Sequence, residues 1–567
     1  MKENNLRRKT RVVYVGDIAV GGDNPIRIQS MTNTDTNDIE KSSSQIMQLA
    51  DAGCEIVRLT TQGIKEAQSL ESIKNVLLKK GYTIPLVADV HFFPPAGILA
   101  ADFVEKIRIN PGNYVEGRRK VTQEDFERLM QEKMTPLLNK CKKYKRSLRI
   151  GVNHGSLSER IMEKHGNTIE GMVVSALEYT QFCVDSDFHD IIFSMKSSNV
   201  KIMIQSYLLL KEELEKRDWN FPFHLGVTEA GFGMEARAKS SVGIGSLLLA
   251  GIGDTIRVSL TEDPVNEIEP CKKIISLTED YEKQNLIDPN INLNMNFSSQ
   301  VKVFISSKDL HFLDKLPTNL KSEIDGIISK EKIITFEEET PIFALDEIQP
   351  SKTPYAVSLS SKDNIYWEKL KSLTPNYIVY NFKRPEKKQA VFFQQYLREN
   401  KINAPLIFRF SYDGSVDDIA TTSGAEIGSM LCNQIGDGIV LDIPAKEKEK
   451  VELTFSLLQA SQRKITRVEF ISCPGCGRTL YNLQEVAQKV KEKTSHLKGI
   501  KIAVMGCVVN GPGEMADADF GYIGAGKGKV NLYVNQLCVE KNISEDIALD
   551  RLIQLIKEKG KWIEAVT

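Results

Sequence analysis

The chain has 567 residues, of which 74 are Lys or Arg and 75 are Asp or Glu, giving a net charge of −1. That length is enough for about three domains at roughly 100–200 residues each. Near-neutrality excludes a whole-molecule footprint for nucleic acid or an anionic membrane, so any anion site must be a local cluster of Arg and Lys.

No apolar run approaches the roughly 18–20 residues of a membrane span, and the polar, basic stretch Met1–Arg11 lacks the apolar core of a secretory signal. Both features point to the cytoplasm. Nine cysteines are too sparse for a disulfide scaffold. They read as reduced thiols, some of them metal-binding.

From the N-terminus to about residue 280, short apolar runs alternate with amphipathic stretches. The runs predict strands over Ile26–Thr32, Glu55–Thr61, Pro85–Val90, Lys106–Gly112, Leu148–Asn153, Asp190–Ser197, Phe223–Gly231 and Asp254–Thr261. Between them lie helical periods such as Ile39, Ile46 and Leu49, stopped by Gly53. Such alternation implies parallel pairing and an α/β fold. Eight units match a (β/α)8 TIM barrel, with an open doubly wound sheet as the alternative.

A parallel barrel brings all its strands' C-terminal ends to one mouth. Arg58, Arg108, Arg149, Lys196 and Arg257 come from five of those strands, with Asp89, His91, Asn153, His224, Glu229 and Ser259 as polar companions. A single arginine is explained as well by pairing with a carboxylate. Five cations at equivalent positions favour a small, multiply anionic ligand such as a diphosphate.

After Asp288 comes Asn-rich NINLNMNFSS, read as a linker, and then further strand-like runs: Val301–Ile305, Tyr355–Leu359, Tyr377–Tyr380, Pro405–Phe410 and Gly438–Ile443. IGSMLCNQIGDGI at 427–439 matches IGSLLLAGIGDTI at 244–256 in eight of thirteen positions. That self-similarity suggests duplication of a barrel unit. Two helix-to-strand junctions with Gly turns are the plainer explanation. The copy has Val440 for Arg257 and Asp442 for Ser259, so this region reads as a degenerate barrel-like insert without chemistry. The domains are therefore expected at 1–285, 286–457 and 458–567.

In the last domain, TRVEFIS runs into Cys473-Pro-Gly-Cys476-Gly-Arg. A helix with Leu480, Leu483, Val486 and Val490 on one face follows, and the next strand ends at Cys507 in GCVVNGPGE. Parallel strands in this βαβ unit carry both cysteine loops to one sheet edge. Three thiols with a C-x2-C spacing suit a structural zinc or an iron–sulfur cluster. Cys538 is a thiol candidate for the fourth ligand. Glu514, in the Gly/Pro loop, is a carboxylate candidate. It would make a weak, exchangeable ligand and so favour a substrate-binding catalyst over an electron wire. The GAGKG stretch at Gly524–Gly528 precedes a strand and reads as a hairpin turn, not a phosphate loop.

CPGCGRTLYNLQEVA with MGCVVNGPGE resembles the 4-hydroxy-3-methylbut-2-en-1-yl diphosphate synthases. So do IQSMTNTDT, VRLTTQG, ADVHF, KIRINPGN, RIGVNHGSL, HLGVTEAG and GIGDTIRVSLTEDP in the first half. The long middle region resembles the family's three-domain form. The resemblance implies reductive ring opening of 2-C-methyl-D-erythritol 2,4-cyclodiphosphate, with ferredoxin or flavodoxin as electron donor. It implies a [4Fe–4S] cluster on Cys473, Cys476, Cys507 and Glu514. Substrate contacts are implied at Arg58, Arg108, Arg149, Asn153, Lys196, Arg257 and Ser259, with Asn510 reaching in from the cluster domain. Asp89, His91, His224 and Glu229 are further polar contacts, Glu229 with a catalytic role. Two-domain relatives close across a dimer, which leaves a homodimer or closure within one chain open here. Family members commonly carry an acid where this chain has Ala250, which puts a proton-handling role for that acid in doubt. Outside the resemblance, the alternatives are a sugar-phosphate aldolase or lyase with a structural metal, and a zinc scaffold closed by Cys538.

Overall fold

The computed structural model describes residues 7–117, 119–288, 301–307, 309–316, 318–349, 351, 353–509 and 511–564. The Asn-rich segment at 290–299 and Asn510 lie outside them.

The first half forms eight parallel strands with helices between them: Arg27–Met31, Ile56–Thr61, Leu86–Val90, Lys106–Ile109, Ser147–Asn153, Ile191–Lys196, His224–Leu225 and Thr255–Ile256. A parallel bridge from Phe193 to Phe223 joins the two edges and closes the ring, so the arrangement is a TIM barrel and not an open sheet.

Three strands are shorter than their apolar runs by three residues or more. The fourth stops at Ile109 because the Asn110 side chain accepts from Gly112 N at 3.0 Å and caps a short helix, Pro111–Tyr114, with proline at its first position. The seventh and eighth keep two residues each. Beyond them the backbone bonds between loops instead, as in Thr228 N to Ser197 O at 3.2 Å and Thr261 N to Gly231 O at 2.6 Å.

An antiparallel hairpin, Val13–Val15 with Ile18–Val20, packs Val13, Val15 and Val20 on Ile56, Val87 and Ile192 and so plugs the N-terminal end of the barrel. Above this apolar plug the interior turns polar. Gln29, Lys106, Arg149 and His224 are buried there, and Lys106 Nζ donates to Gln29 Oε1 at 3.0 Å.

The middle region is a second, closed barrel of eight strands. Five match the sequence reading. The other three, Gly326–Ile328, Lys332–Thr335 and Glu339–Ala344, form an antiparallel meander where the first barrel has helical crossovers. Its interior has an apolar layer built on Phe304, Ile328, Ile333, Val379, Ile407 and Val440, and two residues further along the strands Arg409 pairs with Asp442 at 2.9 Å.

The internal repeat has a physical explanation. Helix Gly233–Leu248 of the first barrel packs on helix Val416–Cys432 of the second. A Cβ on Gly245 would lie 2.4 Å from Ala425 Cα, and one on Gly428 would lie 2.9 Å from Val242 Cα. Gly245 and Gly428 are equivalent positions of the repeat, as are Val242 and Ala425. Equivalent residues exchanging contacts are the mark of a two-fold interface, here formed within one chain. Small residues let the two backbones approach, which explains why the repeat keeps its glycines.

The last region is a five-stranded sheet. Glu469–Ser472, Lys501–Met505 and Phe520–Gly526 run parallel, then Lys529–Val534 and Leu537–Ser544 return antiparallel. The GAGKG stretch is the hairpin between the third and fourth strands. Among the described residues, no helix is long and apolar enough to cross a membrane.

Candidate active site between barrel mouth and cysteine loops

The register Ser472 with Val504 brings the ends of two parallel strands together. Cys473 and Cys507 therefore leave the sheet at one edge. Gly475, at φ +78°, turns the chain tightly between Cys473 and Cys476, a conformation that favours glycine. Gly506 N donates to Cys473 Sγ at 3.3 Å, and Arg478 Nε donates to Cys476 Sγ at 3.5 Å. Burial holds the Cys473 thiol well above its usual range, so removing its proton calls for a cation.

This edge sits on the mouth of the same chain's first barrel. Ala230 and Ser472 form a parallel bridge, and Thr261 Oγ1 donates to Cys473 O at 2.9 Å. Gly155, at φ +79°, lies against Gly513, where a Cβ would stand 2.2 Å from the carbonyl oxygen. His154 Nδ1 meets Asp517 Oδ2 at 3.3 Å.

The two surfaces enclose a cavity with about 630 Å³ of empty space. The barrel lines it with Arg58, Asp89, Arg108, Asn153, Lys196, Glu229, Arg257 and Ser259, and the cap with Cys473, Cys476, Cys507, Arg478 and Glu514. Among the described residues, no three His, Cys, Asp or Glu side chains stand close enough to share a single metal ion.

Arg108 organises the mouth. It donates to Asp89 Oδ1 at 3.0 Å, to Gly151 O at 3.1 Å and to Asn153 Oδ1 at 2.7 Å. Asn153 Nδ2 then donates to Glu514 Oε1 at 2.8 Å, linking barrel to cap. Burial alone would raise the Asp89 carboxyl, but Arg58 and Arg108 hold it well below the usual range. His91 is not a lining residue. It sits behind Asp89 and Arg108, and burial and Arg108 push its imidazole down to about 3, so it is neutral.

Arg257 lines the cavity and is also held by buried Glu267, with contacts of 2.9 and 2.8 Å. One expectation needs correction. Arg149 and His224 do not line the cavity but lie deeper in the barrel. Arg149 is 0% exposed, and none of its three side-chain nitrogens has a partner among the described residues. Burial, then Arg58 and Arg108, depress it, and burial with four arginines depresses Lys196. The mouth therefore carries more cations than its carboxylates neutralise.

Glu229 sits at φ +52°, a strained conformation for a residue other than glycine. Burial and the neighbouring Glu514 push its carboxyl well above the usual range. Ala250 follows helix Gly233–Leu248 and precedes strand Thr255–Ile256, which puts it at the opposite end of the barrel, in a groove with Arg8 and Trp219. An acid there could not handle protons at the mouth. Cys538 lies on the edge strand, donates to Glu540 O at 3.6 Å and does not line the cavity.

The GcpE TIM-barrel domain model matches residues 10–272, and the GcpE protein C-terminal domain model matches 469–558. The chain is 42% identical to the 4-hydroxy-3-methylbut-2-en-1-yl diphosphate synthase (flavodoxin) of Protochlamydia amoebophila, over 99% of this chain and 97% of that protein. It is 38% identical to the chloroplastic, ferredoxin-type synthase of Oryza sativa subsp. japonica, over 98% and 88%.

The chain belongs to the 4-hydroxy-3-methylbut-2-en-1-yl diphosphate synthase family. Nearly full-length coverage of relatives named for either donor extends the family match across the second barrel as well. Within this family's site, the residue that reading the sequence missed is Arg478. Its signal was visible as the only cation in CPGCGR, but the stretch was read for its cysteines and glycines.

Proposed function

We propose that this synthase converts 2-C-methyl-D-erythritol 2,4-cyclodiphosphate to (E)-4-hydroxy-3-methylbut-2-enyl diphosphate in the cytoplasm, with electrons from a reduced flavodoxin or ferredoxin. The observation that carries the reading is a mouth of under-neutralised cations facing three thiols and a carboxylate across one cavity. Membership of the family supplies the reaction class.

Cys473, Cys476, Cys507 and Glu514 would hold a [4Fe–4S] cluster, a fit supported by the donor set lining one cavity and by the N–H groups aimed at sulfur. When bound, the cluster supplies two electrons, one at a time, and a Lewis-acidic iron for a substrate oxygen. Arg58, Arg108 and Lys196 bind the diphosphate, with Arg149 drawing on it from below. Glu229, on the cavity lining beside Glu514 and with its carboxyl pushed upward, is placed to give a proton to the oxygen that leaves as water. Asn153 orients Glu514, and the cap excludes water. The cap that covers the mouth belongs to the same chain as the barrel, joined to it at Ala230–Ser472 and Thr261–Cys473.

The electrostatics predict a pH dependence. In the ligand-free mouth burial and four neighbouring arginines push Lys196 towards neutrality. A bound diphosphate reverses that, so binding takes up protons. Affinity should then fall as pH rises, by up to about tenfold per pH unit for each proton taken up. Titration calorimetry with the cyclodiphosphate, repeated across pH and in buffers of different ionisation enthalpy, measures this directly. A Kd independent of pH, with no proton uptake, would contradict the anion mouth.

A further inference from the structure

Arg478 lies two residues beyond Cys476, on the loop that carries two of the thiols. Gly477 presses this loop onto the barrel: a Cβ there would stand 2.5 Å from Thr34 O. The arginine that follows is driven into the interface and is 6% exposed. It is shared between two domains. Nη2 donates to Asp89 Oδ2 at 3.0 Å, on the barrel, while Nε donates to Cys476 Sγ at 3.5 Å, on its own loop. The third nitrogen, Nη1, is buried with no partner among the described residues.

We infer that Arg478 is a positioning residue through which closure of the cap over the barrel sets the reduction potential of the group held by Cys476. The inference rests on the cluster reading given above. With the cap shut, a guanidinium is desolvated beside a ligand sulfur, and a nearby cation stabilises the more negative, reduced state. Asp89 opposes this by placing an anion on the far side of the same guanidinium. Because Asp89 belongs to the barrel, the Arg478–Asp89 pair exists only in the closed arrangement. Asp89 also accepts from Arg108, which bonds Asn153 and through it Glu514. One arginine thus ties the substrate-binding mouth to the electronics of the thiolates, and Nη1 is left for a bound anion.

The test is an anaerobic redox titration of the iron-loaded full-length enzyme, followed by electron paramagnetic resonance, on wild type, Arg478→Gln, Arg478→Lys and Asp89→Asn. Iron and sulfide are quantified in each. Arg478→Gln should shift the midpoint potential to a more negative value, and Asp89→Asn to a less negative one. Arg478→Lys, which keeps the charge, should stay nearer to wild type than Arg478→Gln. A purely structural arginine would not give shifts of opposite sign for the two partners. Unchanged potentials in both Arg478→Gln and Asp89→Asn, or shifts of the same sign, overturn the inference. If Arg478→Gln does not retain iron, Asp89→Asn, which replaces no residue of the thiol loop, decides alone: a less negative potential supports the inference, and an unchanged one overturns it. A wild-type protein without iron and sulfide would instead overturn the cluster reading, so the two failures are distinguishable.

Discussion

Replacement of Cys507 with serine is expected to abolish turnover and strip the iron while leaving the fold intact. Cys507 lines the cavity from a loop after Lys501–Met505, and the cap's core, built on Val468, Ile502, Val504, Phe520 and Leu552, does not depend on it. A cluster deprived of one of three thiolates loses a strong ligand that the half-buried loop cannot replace. The control is Cys538→Ser. Its sulfur bonds Glu540 O on the edge strand, so iron content and activity should be unchanged. Iron analysis, circular dichroism and a reductant-driven assay check both variants. Loss of metal in Cys538→Ser would overturn the assignment to Glu514 and restore the zinc scaffold closed by Cys538.

Replacement of Arg149 with alanine should weaken cyclodiphosphate binding strongly and leave the cluster's spectrum unchanged. Removing one member of a buried, hydrogen-bonded charge pair costs about 2–5 kcal/mol, roughly thirty-fold to several thousand-fold in Kd. Arg149 has no protein partner among the described residues, so its removal strands no acid, and the apo protein should be as stable as wild type or more so. Arg257→Ala makes the contrast. It leaves buried Glu267 unpaired, which costs about 3–5 kcal/mol of stability. The melting temperature should therefore fall for Arg257→Ala and not for Arg149→Ala. An Arg149→Ala enzyme that binds substrate normally would show that the diphosphate does not reach below the cavity floor.

The barrel was legible because its strands alternate with helices at a steady interval and end in polar residues. The second barrel was only half legible. Its strands Gly326–Ile328, Lys332–Thr335 and Glu339–Ala344 are short and partly exposed, and they pair antiparallel, so no helical period announces them. The thiol loops were legible from spacing alone. Depth inside the barrel was not. Residue order tells that Arg149 and His224 lie on strands, but strand stagger decides which layer each occupies, and both sit below the cavity. The same limit hid Glu267, whose pairing with Arg257 depends on where the following helix begins. The repeat at 244–256 and 427–439 was visible as identity, but its meaning, one helix packed on its own copy, needed the two barrels side by side.

Anaerobic purification followed by iron, acid-labile sulfide and zinc analysis tests most directly the proposal that the three thiols and Glu514 hold a redox cluster over the cationic mouth. A brown protein with about four iron and four sulfide per chain is expected. A colourless protein with one zinc per chain and no sulfide would contradict it.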